Sequence, residues 1–211
     1  MTVPRHQCRR WTDLLTGPAL LAVLLTISAC TSLTGGKPAP IAEFAGNSSV
    51  QQWQLRGKIG IRNSRRANSA YLNWQQCDQR FDIRLSGPLG QGAAHLYGDN
   101  RSVTLADGES EPITAAEPEQ LLYRQLGWQI PVSQLHYWVR GIPAPGQDYV
   151  ATDNGFQQAG WQLSYRGLSD TGNYQLPSRV IAEHPRLKVT LILSNWDLQP
   201  DCEPTGSTTT S

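Results

Sequence analysis

The chain has 211 residues, of which 39% are hydrophobic and 17% charged, and its 18 Lys and Arg residues nearly balance its 17 Asp and Glu residues. This length predicts one or two domains, and the charge balance excludes a polybasic nucleic-acid arm or an acidic tail as the dominant feature. The composition also excludes collagen-like, disulfide-scaffold and wholly disordered proteins. The 19 Gly, 14 Pro and 7 Trp residues indicate a turn-rich β protein.

The N-terminus has the three parts of an export signal. Basic residues between Arg5 and Arg10 precede an uncharged apolar stretch at 14–27, and Ser28-Ala29-Cys30 follow. The apolar stretch is too short and interrupted for a membrane-spanning helix. The aliphatic residue, two small residues and cysteine resemble a bacterial lipobox. We therefore expect residues 1–29 to be removed and Cys30 to carry S-diacylglyceryl and N-acyl lipid; the alternative is an ordinary cleaved signal.

Residues 30–50 are interpreted as a lipidated N-terminus and tether. Removal of residues 1–29 takes away three arginines and one aspartate, which leaves 15 basic and 16 acidic residues. Membrane attachment is therefore expected to come from lipid rather than from charge. Thr31 follows the cysteine where Asp would retain a Gram-negative lipoprotein in the inner membrane. This implies an anchor in the outer membrane, on its periplasmic face.

The body of the chain, 51–198, alternates apolar and polar residues with the period-two pattern of half-buried strands. The predicted strands lie near 53–62, 70–75, 81–85, 94–98, 102–106, 161–165, 180–181 and 187–193. Their close spacing predicts an antiparallel meander. Residues 199–211 are polar and are predicted to form a flexible tail.

Helical signals occupy the region near 115–140. Thr114 to Glu117 matches a capping box, Pro118 fits a first turn, and Gly127 fits a C-terminal cap. Ser133 is a candidate N-cap for a second helix. A short helix is also expected within 41–53, with Ser48 or Ser49 as its N-cap. The fold class is therefore mainly β with a helical insert.

The sequence contains no nucleophile elbow, zinc-protease, Walker A or EF-hand motif. The histidines that remain after signal removal, His95, His136 and His184, are far apart and lack metal-ligand spacing. We therefore predict no enzymatic activity, no metal and no cofactor other than the covalent lipid. In the oxidising envelope Cys77 and Cys202 either pair or stay free, and the sequence leaves both open.

Two surface features have alternative interpretations. Arg62, Arg65 and Arg66 surround a predicted hairpin turn, where a solvated hairpin end is favoured over contact with anionic lipid head groups. Between Ser86 and Gly92, a Gly- and Pro-rich loop contains Leu89 as its single large apolar residue. Composition alone favours a leucine that folds back onto the core.

Several short motifs occur in a recognisable order after the lipobox. They are Trp53-x-Leu-Arg-Gly-Lys, Trp74-Gln-Gln, Leu85-Ser-Gly-Pro-Leu-Gly90, Leu135-x-x-Trp138-Val-x-Gly-Ile-Pro143 and Asn195-Trp196. Together they resemble the LolB family over about residues 51 to 198. The resemblance implies an incomplete, half-open antiparallel β-barrel covered by an α-helical lid and enclosing an apolar cavity for acyl chains.

The resemblance also implies a function. A protein of this family accepts triacylated lipoproteins from the periplasmic carrier LolA and inserts them into the outer membrane. The loop residues Gly87, Pro88, Leu89 and Gly90 would then act in membrane insertion, which replaces the interpretation of Leu89 as a core residue. The implied partners are LolA, the lipoprotein cargo and outer-membrane lipid, with no nucleic acid, and the protein is expected to be a monomer.

Apolar residues of the first three strands are the candidates for the acyl cavity. They are Trp53, Leu55, Ile59, Ile61, Leu72, Trp74, Phe81, Ile83 and Leu85. The same residues fit an ordinary packed core equally well. The main alternative function is a structural or binding lipoprotein of the envelope that uses a sheet edge to scaffold a partner protein. A lipid-modifying enzyme is disfavoured by the missing nucleophile.

Overall fold

The computed structural model of the chain describes residues 41–87 and 92–202. Its strands are β1 Gln52–Arg62, β2 Ala67–Cys77, β3 Arg80–Ser86, β4 Ala94–Gly98, β5 Val103–Ala106, β6 Ile113–Ala115, β7 Tyr149–Thr152, β8 Gly155–Gln158, β9 Trp161–Asp170, β10 Gln175–His184 and β11 Leu187–Asp197. A 3-10 helix spans Ile41–Ser49, and the α-helices are α1 Pro118–Leu126 and α2 Val132–Trp138. None of these helices is long and apolar enough to cross a membrane.

All eleven strands form one antiparallel sheet in the order β6-β5-β4-β3-β2-β1-β11-β10-β9-β8-β7. Strand β1 lies at the centre because its two neighbours are β2 and the last strand, β11. The two edge strands, β6 and β7, do not pair with each other, so the sheet stays open. The predicted half-open antiparallel architecture is confirmed.

The helices lie over the concave face of the sheet. Along β1 the buried side chains alternate with more exposed ones, as expected for a strand with one covered face. Leu121, Leu122, Leu135 and Trp138 bury their side chains against this face. Trp138 donates from Nε1 to the buried Gln158 Oε1 over 2.9 Å, which links α2 to β8. The helical insert predicted near 115–140 thus forms the cover of the sheet.

The predicted helix starts are wrong in three places. Thr114 lies in β6, where its hydroxyl bonds Thr104, and α1 begins at Pro118 without a side-chain cap. Ser133 lies inside the first turn of α2, and its backbone and hydroxyl groups donate to Glu119 Oε1 over 2.8 and 2.6 Å. Ser48 and Ser49 lie at the end of the 3-10 helix, not at its start.

Three strands were not predicted. β6 is only three residues long, β7 is exposed along most of its length, and β8 has only four residues, two of them Gln. Strands β6 and β7 are edge strands, so each pairs with a neighbouring strand on one side only. Their alternation of apolar and polar residues is also weak. These short strands form through pairing with neighbouring strands, and their own residue pattern does not specify them.

Cys77 and Cys202 form a disulfide, which resolves the alternative left open by the sequence. The bond joins the end of β2 to the polar segment after β11, across 125 residues of sequence. Gln75 reinforces the attachment by donating from Nε2 to the Asp201 carbonyl over 2.8 Å. The predicted tail is therefore fixed at Cys202, and residues 203–211 lie outside the described part.

Replacing Cys77 by Ser is expected to lower the free energy of unfolding by about 2–5 kcal/mol, because a cross-link over a long loop restricts the unfolded chain. Denaturant unfolding of the oxidised wild type and Cys77→Ser measures the difference. The wild type treated with a reductant is the matched control and should unfold at the midpoint of the variant. Equal midpoints for oxidised wild type and variant would contradict the expected contribution.

Candidate functional site

A narrow apolar pocket lies between the concave face of the sheet and the helical cover. Its volume is about 60 Å³. The sheet contributes Ile59, Ile61, Leu72, Trp74, Ile83, Leu85, Ala94, Leu96, Leu105 and Leu191. The cover contributes Leu122, Trp128, Ile130, Val132 and Leu135. The pocket therefore offers an apolar ligand contacts from both layers and offers a charged ligand no partner.

Trp74 is one of two lining residues, with Trp128, that carry a side-chain polar atom. Its Nε1 donates to Gln76 Oε1 over 3.2 Å, so the ring borders the pocket with its polar group already bonded. The described volume is smaller than the roughly 150 Å³ of an apolar cavity that accepts one benzene molecule. The pocket as described is therefore too small for a long acyl chain.

Six of the nine residues nominated from the sequence line this pocket. They are Ile59, Ile61, Leu72, Trp74, Ile83 and Leu85. Trp53 and Leu55 are fully buried elsewhere in the core, and Trp53 packs between Trp74 and Trp196 with ring centroids 5.1 and 5.4 Å away. Phe81 is half-buried and borders a separate cleft beside α2. Acyl binding by any of the nine remains a prediction.

Sequence reasoning missed nine further lining residues. Leu96 and Leu105 belong to the inward-facing sets of β4 and β5, so extending the alternation to these short strands would have found them. Leu122 and Leu135 lie on the apolar stripes of the two helices. Trp128 and Ile130 come from the link between the helices, which carries no periodic signal.

A buried arginine fastens one end of the helical cover. Arg140 is 1% exposed and donates from Nε to the His136 carbonyl over 3.0 Å and from Nη1 to the Val50 carbonyl. Asn47 donates from Nδ2 to the carbonyls of Arg140 and Gln175 over 2.7 and 2.8 Å. These bonds tie the end of α2 to the 3-10 helix and to β10. Separation of cover and sheet is therefore resisted at this end.

Burial lowers the pKa of Arg140 to about 10, so its guanidinium is still charged at neutral pH. Burial also lowers the pKa of His136 to about 4, and the charge of Arg140 adds to this effect. His136 is therefore neutral at pH 7. Burial raises the pKa of Tyr165, whose hydroxyl donates to the Trp138 carbonyl over 3.1 Å. The polar groups beneath the cover thus serve as hydrogen-bonding supports.

The three histidines occupy separate places. His95 Nε2 lies 2.9 Å from Asp82 Oδ2, and that carboxylate also pairs with Arg84. His184 stacks on Trp161 with ring centroids 5.3 Å apart, whereas His136 lies in α2, within the helical cover itself. Within residues 41–87 and 92–202, no group of His, Cys, Asp and Glu is arranged to hold a metal ion.

Four predicted functional positions lie outside the described residues. These are Cys30 and the loop positions Pro88, Leu89 and Gly90. Gly87 is described and half-buried directly after β3. Leu85 pairs with Ala94 in the adjoining strand, so the segment with Leu89 connects β3 to β4 at one edge of the sheet.

Comparison with known proteins assigns the chain to a family. The family model described as "Outer membrane lipoprotein LolB" matches residues 51–196. This chain belongs to the LolB family. The matched span begins just before β1 and ends within β11, so it contains the helical cover and all of the sheet except the last residue of β11.

Curated LolB relatives match over most of their length. The outer-membrane lipoprotein LolB of Pseudomonas syringae pv. syringae is 38% identical, with 84% of this chain and 93% of the relative covered. LolB of Pseudomonas putida strain W619 is 43% identical over 71% of this chain and 76% of the relative. LolB of a Marinomonas species is 34% identical over 85% and 96%.

One solved structure shares the fold at low identity. A DUF1329 family protein from Desulfovibrio piger superposes with a TM-score of 0.50 at 6% identity, covering 77% of this chain and 92% of that protein. A LolA superfamily protein from Nitrosomonas europaea gives a TM-score of 0.48 at 12% identity, covering 77% and 94%. The first likeness concerns the fold alone.

Proposed function

We propose that this protein accepts lipoproteins from a LolA-type periplasmic carrier, holds their acyl chains beneath its helical cover, and inserts them into the outer membrane. The observation that carries the proposal is an apolar pocket between sheet and helices in a chain of the LolB family. The cargo is a triacylated lipoprotein, and the recipient is outer-membrane lipid. The protein acts as a monomer without a catalytic step.

The physical problem is the exposure of acyl chains to water. Each methylene removed from water contributes about 0.8 kcal/mol, so a triacylated protein does not cross the periplasm unaided. A pocket with apolar walls binds such chains through contact area and imposes little chemical selectivity. Release then requires only a more favourable apolar destination, and a bilayer provides one.

Acceptance of cargo requires the pocket to widen. The arginine contacts hold the far end of α2, whereas α1 packs near the short strands β5 and β6 at the edge of the sheet. We infer that α1 and the link carrying Trp128 and Ile130 move away from β4 and β5 when an acyl chain enters. This motion would extend the existing pocket and keep the rest of the cover in place.

Two positions outside the described residues complete the proposal. Cys30 carries the lipid that holds the protein at the outer membrane. Leu89, in the loop with Gly87, Pro88 and Gly90, enters the bilayer surface when cargo is delivered. The loop connects two strands that both line the pocket, so an insertion element and the acyl site are joined by short segments of sheet.

Filling the pocket tests the acyl-binding proposal. Ala94→Trp is expected to reduce cargo transfer from a LolA-type carrier at least about tenfold, because displacement of two methylenes removes about 1.6 kcal/mol. Ala94 is half-buried in the pocket wall, and the new ring occupies space without burying a charge. Transfer is measured with purified carrier–lipoprotein complex and lipidated protein.

The matched control is Ala151→Trp, which adds the same ring on the exposed edge strand β7. It should transfer cargo at the wild-type rate. Thermal unfolding of both variants separates pocket filling from loss of the fold. Wild-type transfer by a folded Ala94→Trp protein would contradict the acyl-binding role. Failure of the wild type to accept any cargo would favour the alternative of an envelope scaffold.

A further inference from the structure

A basic cleft lies at one end of the central strands, where Gly127 and Gln129 of its wall adjoin Trp128 and Ile130 of the apolar pocket. Two turns form it, the β1–β2 turn and the β10–β11 turn, which are adjacent because Arg62 pairs with Lys188 across β1 and β11. The cleft has a volume of about 570 Å³. Its walls include Arg62, Arg65, Arg186 and Lys188, and they include no aspartate or glutamate.

The arginines of this cleft are available to a ligand. Arg62, Arg65 and Arg186 are exposed, and within residues 41–87 and 92–202 none of them makes an ion pair. Lys188 is partly neutralised by Glu183, whose Oε1 lies 2.7 Å from Nζ. Asn63 Oδ1 accepts the backbone N–H groups of Arg65 and Arg66 over 2.9 and 2.8 Å, which fixes the turn. The cleft is therefore a concentration of unpaired positive charge on a defined backbone.

The cleft lies at the same end of the strands as the last residue of β3 and the first residue of β4, the two strands that flank Leu89 in the sequence. Arg62 pairs with Ala67 at the start of β2, and Tyr71 farther along β2 pairs with Ser86 at the end of β3. The β1–β2 turn, the β10–β11 turn and the β3–β4 connection therefore all lie at one end of the strands. Tyr123, with 55% of its surface exposed, also borders the cleft.

We propose that this cleft binds the phosphate groups of anionic phospholipid heads and turns this edge of the protein toward the bilayer. Phosphate oxygens are good acceptors for arginine, and several arginines in one concave surface bind them better than dispersed ones. An exposed tyrosine suits the boundary between water and lipid, since its ring is apolar and its hydroxyl polar. The inference deepens the proposed function and rests on it only for the delivery of cargo.

Because the whole chain is nearly neutral, the basic cleft is a local charge that orients the protein at a membrane. A uniformly basic protein would attract anionic lipid on every face, whereas here 18 basic and 17 acidic residues nearly cancel. Attraction at one edge therefore orients the molecule. A protein already held by lipid needs orientation more than additional affinity, because delivery requires the insertion loop to meet the membrane.

The first test measures binding to vesicles by the mature chain with Cys30→Ala, which removes the anchor. The parent is expected to bind phosphatidylcholine vesicles containing phosphatidylglycerol several-fold more than pure phosphatidylcholine vesicles, and added salt should abolish the excess. Arg62→Gln, Arg65→Gln and Arg186→Gln together should remove the excess. The control combines Arg56→Gln, Arg101→Gln and Arg166→Gln, which change the net charge equally at exposed positions elsewhere.

The outcomes separate the possible occupants. An excess that persists in the cleft variant, or that disappears equally in the control, would overturn the proposal. A cleft variant that binds phosphatidylglycerol vesicles normally but no longer receives cargo from the carrier in solution would also overturn the proposal. The cleft would then bind a protein surface and not lipid. The proposed function is tested separately by lipidated wild type. If lipidated wild type inserts cargo at equal rates into vesicles with and without phosphatidylglycerol, the proposed function stands and the cleft proposal fails.

Discussion

Leu89→Glu is expected to stop insertion of cargo into membranes and to leave the fold and the acceptance of cargo intact. Burial of a leucine side chain contributes about 2 kcal/mol, and an acidic side chain within a bilayer costs about 2.5–3.5 kcal/mol. Together these values reduce insertion by well over tenfold. The substitution leaves every residue of the described pocket wall unchanged, so acyl binding should persist.

The measurement follows lipoprotein passing from a LolA-type carrier through the purified variant into liposomes. The variant should accumulate in a cargo-bound form, which distinguishes a failure of insertion from a failure of acceptance. Ile192→Glu is the matched control, because Ile192 is an exposed apolar residue of β11, 43% exposed, and is not part of the pocket wall. Insertion by Leu89→Glu at the wild-type rate would refute the role of the leucine.

The sequence predicted the middle of the sheet well because those strands have one buried and one exposed face. In β1 the buried Trp53, Leu55, Ile59 and Ile61 alternate with less buried neighbours, and that alternation is visible without a structure. It fails for β7, where Val150 is 65% exposed and neither side of the strand is buried. Helix starts were predicted from side-chain caps, but the α1 start has none, and Pro118 begins that helix.

The pocket was harder to predict, since core and pocket residues follow the same pattern. Leu55 and Ile59 both belong to the inward set of β1, yet Leu55 is fully buried in the core and Ile59 borders the pocket. The difference depends on where the helices cross the sheet, and local sequence does not specify it. Burial of apolar surface stabilises both positions alike.

The basic cleft forms because of the register in which β11 pairs with β1. Arg62 and Arg65 are close in sequence, but Arg186 and Lys188 join them only because β11 pairs with β1. The balanced charge of the chain indicates attachment through lipid, and it remains compatible with a local basic surface. The lipid anchor and the basic cleft are expected to contribute very different binding free energies at the membrane, and replacement of Cys30 separates the two contributions.

Cys30→Ala, exported with a conventional cleavable signal peptide in place of residues 1–29, is expected to detach from the outer membrane and accumulate in the periplasm. A basic side chain near an anionic surface contributes about 1 kcal/mol, so four such residues provide about 4 kcal/mol, which corresponds to roughly millimolar binding. Each acyl methylene contributes about 0.8 kcal/mol, and several chains together exceed this many times. The cleft alone therefore orients the protein without retaining it.

Fractionation of cells into outer-membrane and periplasmic material measures the loss, and mass spectrometry of the wild-type N-terminus measures the lipid. Cys8→Ala in the wild-type precursor is the matched control, because that cysteine lies within the expected signal and its replacement should leave the anchor unchanged. Retention of Cys30→Ala in the outer membrane, or an unmodified wild-type Cys30, would contradict the anchor. Since the pocket lies within the matched domain 51–196, the released variant should still accept cargo from the carrier and should fail only in its delivery. Anchoring and acyl binding are then separate properties of one chain, and the edge carrying the basic cleft and the β3–β4 connection joins them at the membrane.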